Sequence, residues 1–325
     1  MKQEALLTIK NLRTRFHIYE GMVTAVDGVD LDVYRGETLG VVGESGCGKS
    51  VTALSVLRLL ASPPAKIEGE ILFDGKNLLD MSLDEIRQIR GNAISMIFQE
   101  PMTSLNPVLT IGEQISEAIR LHQGVARQDA WSKVVEMLQM VQIPSPEMRA
   151  HEYPHQLSGG MRQRAMIAMA LSCRLRLLLA DEPTTALDVT IQAQIVDLME
   201  RLKEEFETSI VLITHNLGLI AEMARRVVVM YAGKVVEEAL VENLFLEPLH
   251  PYTQGLLGSI PWIGRKMKAG REQLQEIPGM VPSLLEMPGG CRFHPRCPRV
   301  MERCKKEEPP LVQKDGRWVL CWLWK

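Results

Sequence analysis

Short apolar runs alternate with stretches of helical periodicity along most of the chain. The apolar runs predict buried strands at 38–42, 94–98, 177–180 and 210–214. Apolar residues three and four positions apart predict helices between these strands, at 51–61, 191–206 and 217–225. Because strands that alternate with helices usually form a parallel sheet, we expect an α/β core whose sheet is largely parallel.

Other segments depart from this alternation. Between residues 6 and 34, apolar and polar positions alternate, which predicts antiparallel strands with one wet face. We also expect a strand at 67–73 that ends in an Asp-Gly turn, and a hairpin over 227–238. Ser82, with Glu85 three residues later, predicts the capped start of a short helix.

The pattern is helical from about residue 100 to residue 172, and ten prolines follow residue 240. Prolines remove backbone donors, so long regular elements are not expected in that last part. We therefore expect a core of residues 1–99 and 173–240 that includes an antiparallel β subdomain. A helical insertion of residues 100–172 would interrupt this core, and residues 241–325 would form a C-terminal extension.

Composition and charge give no indication of a nucleic-acid-binding, secreted or membrane-spanning protein. The chain has 325 residues, 46% of them apolar, and a formal net charge of −3, which gives no argument for nucleic-acid binding. Residues 1–10 lack the apolar core of a signal peptide, and the apolar runs are far shorter than the roughly 18 residues of a membrane span. We expect a cytoplasmic protein, and if it works at a membrane, something else must anchor it there.

The most informative stretch is Gly-Glu-Ser-Gly-Cys-Gly-Lys-Ser at residues 43–50, which fits the phosphate-binding pattern G-x-x-x-x-G-K-[ST]. It lies between a predicted strand and a predicted helix, and this context disfavours an unrelated glycine-rich turn. Backbone amides and the positive helix end would hold phosphates, and Lys49 would reach the β- and γ-phosphates. Ser50 would bind Mg²⁺.

Two further motifs carry chemistry. Asp181 and Glu182 end a buried strand, where one carboxylate can support Mg²⁺ and the other can act on a water molecule. Ser158 precedes Gly159 and Gly160 at a predicted helix start, which makes a second anion site or, considered alone, an ordinary helix cap.

Taken together, the motifs resemble the ATP-binding subunits of dipeptide and oligopeptide ABC importers. The resemblance rests on residues 43–50, Gln99, 157–161, Asp181-Glu182, Ala186-Leu187-Asp188 and His215, in the order found in that family. Residues 96–107 and His250-Pro-Tyr-Thr253 narrow it to peptide importers. It implies the ABC cassette of the P-loop NTPases, with a RecA-like parallel sheet core, an antiparallel β subdomain, a helical subdomain and a Cys-rich extension.

The resemblance assigns roles in ATP hydrolysis. The residues expected to bind ATP through the loop are Gly43, Glu44, Ser45, Gly46, Cys47, Gly48, Lys49, Ser50 and Val51. Ser50 and Gln99 would ligate Mg²⁺, and Asp181 would support it. Glu182 would be the general base, and His215 would contact the γ-phosphate and hold the attacking water. An adenine-stacking aromatic is expected after the first strand, where the chain offers Phe16 and, preferably, Tyr19.

The same resemblance implies partners. Ser158 and Gly160 would contact ATP bound by a second cassette in a head-to-tail pair, and Asp188 would link the two sites. A sister ATPase is expected rather than a second copy, together with two membrane permease subunits and, indirectly, a peptide-binding protein. Segment 101–121 would receive a permease helix, placing the chain on the inner face of the cell membrane.

Four of the six cysteines lie in the last 35 residues, at Cys291, Cys297, Cys304 and Cys321. Four thiolates suit structural Zn²⁺ or an iron–sulfur cluster, and the absence of a closely spaced Cys pair favours the cluster. Members of the resembling family can carry a [4Fe–4S] cluster at such a tail. Zn²⁺ is the second choice, and four unbridged cysteines the alternative.

Two other functions compete with peptide import. A soluble ABC ATPase acting on nucleic acid would need a coiled coil or zinc module between residues 50 and 157, where this chain has about a hundred ordinary residues. A regulator that binds ATP without hydrolysing it would not need Glu182 or His215.

Overall fold

The computed structural model describes residues 4–99, 104–185, 187–259 and 276–325. The strands β1 to β12 are, in chain order, Ala5–Ile18, Gly21–Tyr34, Thr38–Val42, Ala65–Phe73, Lys76–Asn77, Ile94–Ile97, Leu177–Asp181, Ser209–Ile213, Arg226–Tyr231, Lys234–Leu240, Leu311–Lys314 and Arg317–Leu320. The α-helices α1 to α11 are Lys49–Val56, Leu83–Ile89, Ile111–Gln123, Arg127–Met140, Pro146–Arg149, Gly159–Leu171, Val189–Phe206, Leu217–Met223, Val241–Leu246, Pro251–Gly258 and Glu302–Lys306.

The chain divides into two compact units. Unit 1 contains residues 1–5, 33–37 and 78–212, and unit 2 contains residues 6–32, 38–77 and 213–325.

Unit 1 combines parallel strands with packed helices. Its strands follow the order β8-β7-β6, and β6 pairs with β7 in parallel from Ile94↔Leu177 to Ile97↔Ala180. All five residues of β7 are buried, as expected for a parallel strand covered on both faces. The helices Ile111–Gln123, Arg127–Met140 and Gly159–Leu171 pack against one another, so this unit has the predicted helical character.

Unit 2 contains two sets of strands. One is the antiparallel set β2-β1-β4-β5, and the other has the order β11-β12-β10-β9-β3, in which β3 and β9 are parallel. The strand β2 alternates buried and solvent-facing residues over Val29 to Val33, as its sequence pattern predicted. The Asp74-Gly75 turn and the β9–β10 hairpin are also present, each with two consecutive residues at positive φ. These parallel strands and helices confirm the α/β class.

Two local features differ from the predictions. The helix that follows the phosphate loop ends at Val56, whereas the sequence pattern predicted an end near residue 61. Arg58 adopts a φ of +50°, and the Leu59 amide donates to the Leu54 carbonyl oxygen at 2.9 Å, which closes the helix before the prolines. The other predicted helices and strands lie within a few residues of their expected bounds.

The second difference is the hairpin of β11 and β12, which was not predicted. Its strand β12 pairs with β10 through Glu237↔Val319 and Glu238↔Trp318. The Asp315-Gly316 dipeptide, between two short runs that each contain apolar residues, is the signal that indicates this hairpin. The other regular elements described after residue 240 are short, as the prolines predicted. No helix in the described ranges is long and apolar enough to cross a membrane.

Candidate functional site

The phosphate loop, residues 43–50, connects β3 to the helix that begins at Lys49. Gly48 precedes this helix with a φ of +102°, which side chains other than glycine rarely tolerate. A Cβ atom on Gly43 would lie 2.2 Å from the carbonyl oxygen of Met230. Glycine is therefore required at both positions for the loop to turn and to pack on β9.

Lys49 folds back over its own loop. Its ammonium group donates hydrogen bonds to the carbonyl oxygens of Gly43 at 2.7 Å and of Glu44 at 3.1 Å. Cys47 is fully buried beneath it, and burial raises the pKa of the Cys47 thiol despite the nearby charge of Lys49. Cys47 is thus a neutral, interior residue of the loop, as expected for a small filler.

The predicted general base and Mg²⁺ ligand lie together in unit 1. The Gln99 amide nitrogen donates to a carboxylate oxygen of Glu182 at 2.9 Å, and the Thr185 hydroxyl donates to the same oxygen at 2.8 Å. Asp181 is buried at the end of β7, and Glu182 follows it with a φ of +48°. Residues 83 positions apart in the sequence thus form one polar cluster.

The signature residues begin a helix beside the one that Asp188 caps. The Ser158 hydroxyl accepts a hydrogen bond from the Met161 amide at 3.3 Å, and the Asp188 carboxylate accepts one from the Ile191 amide at 2.9 Å. A Cβ atom on Gly160 would lie 3.1 Å from Ile191, so the two helix starts are in close contact. The predicted cap at Ser158 is confirmed, the cap at Asp188 was not predicted, and Ala186 lies outside the described residues.

The remaining predicted site residues lie in other places. Residues 43–50 and His215 belong to unit 2, and the clusters around Glu182 and Ser158 belong to unit 1. His215 is exposed two residues after the end of β8. Tyr19 is fully exposed in the turn between β1 and β2, while Phe16 is half-buried within β1. Adenine stacking by either residue stays a prediction. Residues 101–103 of the predicted permease-binding segment lie outside the described ranges.

Sequence reasoning missed two residues that contact the phosphate loop. The Tyr252 hydroxyl accepts a hydrogen bond from the Glu44 amide at 2.8 Å. The Arg296 guanidinium donates to both Glu44 carboxylate oxygens, at 2.6 and 3.0 Å. Tyr252 belongs to the recognised His250–Thr253 segment, but Arg296 is one of several basic residues near the cysteines and nothing in its sequence context distinguishes it.

The four C-terminal cysteines surround one cavity of unit 2. The residues that line it include Cys291, Cys297, Cys304, Cys321, His250 and Phe293. Burial raises the pKa of Cys291 and of Cys321 to about 11, and the neighbouring thiols add to the effect. None of the six cysteines forms a disulfide. In the part of the chain that the structure describes, no group of three or more His, Cys, Asp or Glu side chains is placed to hold a metal ion, so neither the expected [4Fe–4S] cluster nor the second-choice Zn²⁺ site is supported.

Comparisons with known proteins agree with the family that the motifs indicate. Residues 26–185 match the family model of the ABC transporter, and residues 236–304 match that of the oligopeptide/dipeptide transporter C-terminal region. The oligopeptide transport ATP-binding protein AppD of Bacillus subtilis is 53% identical over 98% of this chain and 97% of its own length. The chain belongs to the ABC transporter ATP-binding family. The resemblance seen in the motifs is therefore confirmed.

Two further relatives of this ABC family member extend the comparison. The dipeptide transport ATP-binding protein DppD of Bacillus subtilis is 49% identical over 98% of this chain and 95% of its own. Among solved structures, the dimeric bacterial ABC transporter cassette MJ0796 superposes with a TM-score of 0.65 at 29% identity, covering 72% of this chain and 98% of the cassette. A second structure of MJ0796, with the same TM-score, identity and coverage, is described as a post-hydrolysis state bound to ADP and Pi.

Proposed function

We propose that this protein hydrolyses ATP to drive the import of dipeptides or oligopeptides through an ABC transporter. The observation that carries the proposal is the likeness, over nearly the whole chain, to peptide-transport ATP-binding proteins. The match of residues 236–304 to the oligopeptide/dipeptide transporter C-terminal region supports peptides as the cargo. No comparison given above points to nucleic acid.

We assign the chemistry to groups that the fold already orients. The amides of residues 43–51 and the Lys49 ammonium would bind the triphosphate, because they combine donors with positive charge at a helix start. Ser50, Gln99 and Asp181 offer the oxygen atoms that Mg²⁺ prefers. The ion would neutralise phosphate charge. Glu182, which Gln99 and Thr185 hold by hydrogen bonds, would take a proton from water that His215 orients.

We further propose that Ser158, Gly160 and Asp188 act on a partner cassette. The Ser158 helix start would meet the γ-phosphate of ATP bound by that cassette, and ATP would close the pair. The partners would be a sister ATPase rather than a second copy, two membrane permease subunits and, through them, a peptide-binding protein. A permease helix would dock on segment 101–121, which places the protein at the cytoplasmic face of a membrane.

The domain boundaries form part of this proposal. Residues 1–99 and 173–240 would bind ATP, residues 100–172 would carry the signature and the permease contact, and residues 241–325 would form the peptide-importer extension. The helices that unit 1 packs between Ile111 and Leu171 support the middle assignment.

Glu182→Gln tests the catalytic assignment. We expect ATP turnover to fall at least about 100-fold, since a general base contributes at least about that factor. Binding of ATP, measured by equilibrium titration, should persist. Glu200→Gln, at an exposed position of the helix Val189–Phe206, is the matched control and should leave turnover unchanged. Normal turnover by Glu182→Gln would remove Glu182 as the base.

We also propose that the four C-terminal cysteines hold an iron–sulfur cluster of the [4Fe–4S] type. Four thiols line one cavity, and four cysteines are the ligand set of a [4Fe–4S] cluster. Four cysteines also suit zinc, but the sequence lacks the closely spaced Cys pair of most zinc sites, which favours the cluster. Anaerobically purified protein should contain iron and sulfide, and Cys304→Ser should lose much of both. Cys173→Ser, which changes a buried cysteine of unit 1, is the control. Protein purified without iron, or with zinc in its place, would contradict the cluster.

A further inference from the structure

Glu44, the second residue of the phosphate loop, connects the loop to the C-terminal extension through three separate groups. Its amide donates to Tyr252, and its carboxylate accepts two hydrogen bonds from Arg296. Its carbonyl oxygen accepts from the Lys49 ammonium at 3.1 Å and from the Cys47 amide at 3.3 Å. Two residues of the extension therefore hold the same residue, Glu44, whose carbonyl oxygen accepts from Lys49.

Both extension residues are firmly held. Tyr252 is fully buried, and its ring packs against Tyr231 at 4.6 Å and Phe293 at 5.4 Å between ring centroids. Burial raises the pKa of Tyr252, so its hydroxyl stays neutral. Arg296 is 6% exposed, and its Nε donates to the Pro278 carbonyl oxygen at 2.9 Å. The hydrogen bonds to Glu44 therefore come from a preformed surface rather than from mobile side chains.

Besides packing, Arg296 neutralises the charge of the Glu44 carboxylate. The Glu44 carboxylate belongs to a loop whose expected ligand is a polyanion, and an unpaired carboxylate there would repel phosphate. The bidentate pair with Arg296 cancels this charge, and the hydrogen bond from Glu44 to Tyr252 fixes the adjoining backbone.

We propose that the C-terminal extension sets the affinity of the phosphate loop for nucleotide, with Tyr252 and Arg296 as positioning residues that act through Glu44 on Lys49. This inference rests on the proposed function of residues 43–50 as the nucleotide site. The extension then does more than mark a peptide transporter, because it completes the nucleotide-binding loop of its own chain.

The test measures equilibrium binding of ATP and of adenosine by the full-length chain, with thermal unfolding to verify the fold. Tyr252→Phe keeps the ring and removes one buried hydrogen bond, so we expect ATP to bind about five-fold more weakly. Arg296→Gln leaves a bare carboxylate, and we expect a loss of about ten-fold or more. Adenosine, which has no phosphate, should be affected by neither change.

A double variant distinguishes a positioning role of Arg296 from a general loss of protein stability. Adding Glu44→Gln to Arg296→Gln removes the repelling charge and should restore part of the ATP affinity, which a general structural defect would not do. Arg303→Gln is the matched control, since Arg303 pairs with Glu307 at 3.1 Å on the exposed side of the extension. It should leave ATP binding unchanged.

Three results would overturn the inference. The first is an unchanged ATP affinity in folded Tyr252→Phe and Arg296→Gln. The second is a loss of adenosine affinity equal to the loss of ATP affinity. The third is a double variant that binds ATP no better than Arg296→Gln alone. Lys49→Met distinguishes failure of the inference from failure of the proposed site, because ATP binding that survives this change would remove residues 43–50 as the nucleotide site altogether.

Discussion

Asp27 shows how one residue can join distant parts of a unit. Its carboxylate lies 3.2 Å from the Arg13 Nε and 3.5 Å from the Lys234 ammonium, and it also accepts a hydrogen bond from Arg292 of the C-terminal extension. Partial burial raises the pKa of Asp27, but these three cations outweigh burial and lower it below its usual value of 3.8. The charged form is therefore favoured in the folded protein.

We expect Asp27→Asn to reduce the free energy of unfolding by about 1–2 kcal/mol at pH 7, between the values for exposed and buried ion pairs. Because the folded pKa lies below the unfolded one, the contribution of Asp27 is complete above about pH 4 and is lost as the pH falls through the folded value. Urea unfolding of both proteins should therefore show a smaller difference at pH 3.5 than at pH 7.

Asp84→Asn is the control for this experiment, because the Asp84 side chain is 91% exposed and its ion pair with Arg87 is on the surface. It should change stability little at either pH. A difference between wild type and Asp27→Asn that does not depend on pH would contradict the assigned role of the charge.

At the scale of elements, two helices begin with the same kind of serine cap, but only one of the two serines has a proposed role in ATP binding. Ser82 and Glu85 form a capping box at the helix Leu83–Ile89, which has no assigned chemistry. Ser158 caps the helix Gly159–Leu171 with the same kind of side-chain hydrogen bond, and it is also proposed to contact ATP. The two serines thus offer a comparison between a cap alone and a cap with a ligand.

We expect Ser158→Ala and Ser82→Ala each to cost about 1 kcal/mol of stability, as other cap removals do. ATP turnover should fall strongly in Ser158→Ala only, since that hydroxyl would also bind phosphate. Thermal unfolding and steady-state ATPase rates of both variants make the comparison. Equal turnover in the two variants would leave Ser158 as a cap and nothing more.

At the scale of the whole molecule, the two helix starts that are proposed to bind phosphate belong to different units. The phosphate loop lies in unit 2 and the Ser158 helix start in unit 1. If both served a single nucleotide within one chain, the second would be redundant, which is the physical argument for a pair of cassettes. The similar cassette MJ0796 is described as dimeric.

We therefore expect ATP turnover per chain to rise with the concentration of the purified chain, because in the proposed pair each site receives a helix start from a neighbour. Steady-state ATPase rates over a range from nanomolar to micromolar concentrations measure this dependence. Addition of a sister ATPase should raise the rate further. Full turnover per chain that stays constant down to nanomolar concentration would contradict the paired arrangement.

The sequence by itself determined the features that depend on neighbouring residues. The buried strand β3 follows from a continuous apolar run, and the antiparallel strand β2 follows from alternation. The caps at Ser82 and Ser158 follow from side-chain hydrogen bonds over three positions. The loop at 43–50 was equally readable, since all of its groups are contiguous.

Only the tertiary structure decided which distant groups meet. Glu44 contacts Tyr252 and Arg296 across 208 and 252 positions, and Gln99 reaches Glu182 across 83. The pairing of β12 with β10 was likewise missed. The physical reason is that local patterns specify which face of an element is buried, whereas the partner on that face depends on how the whole chain packs.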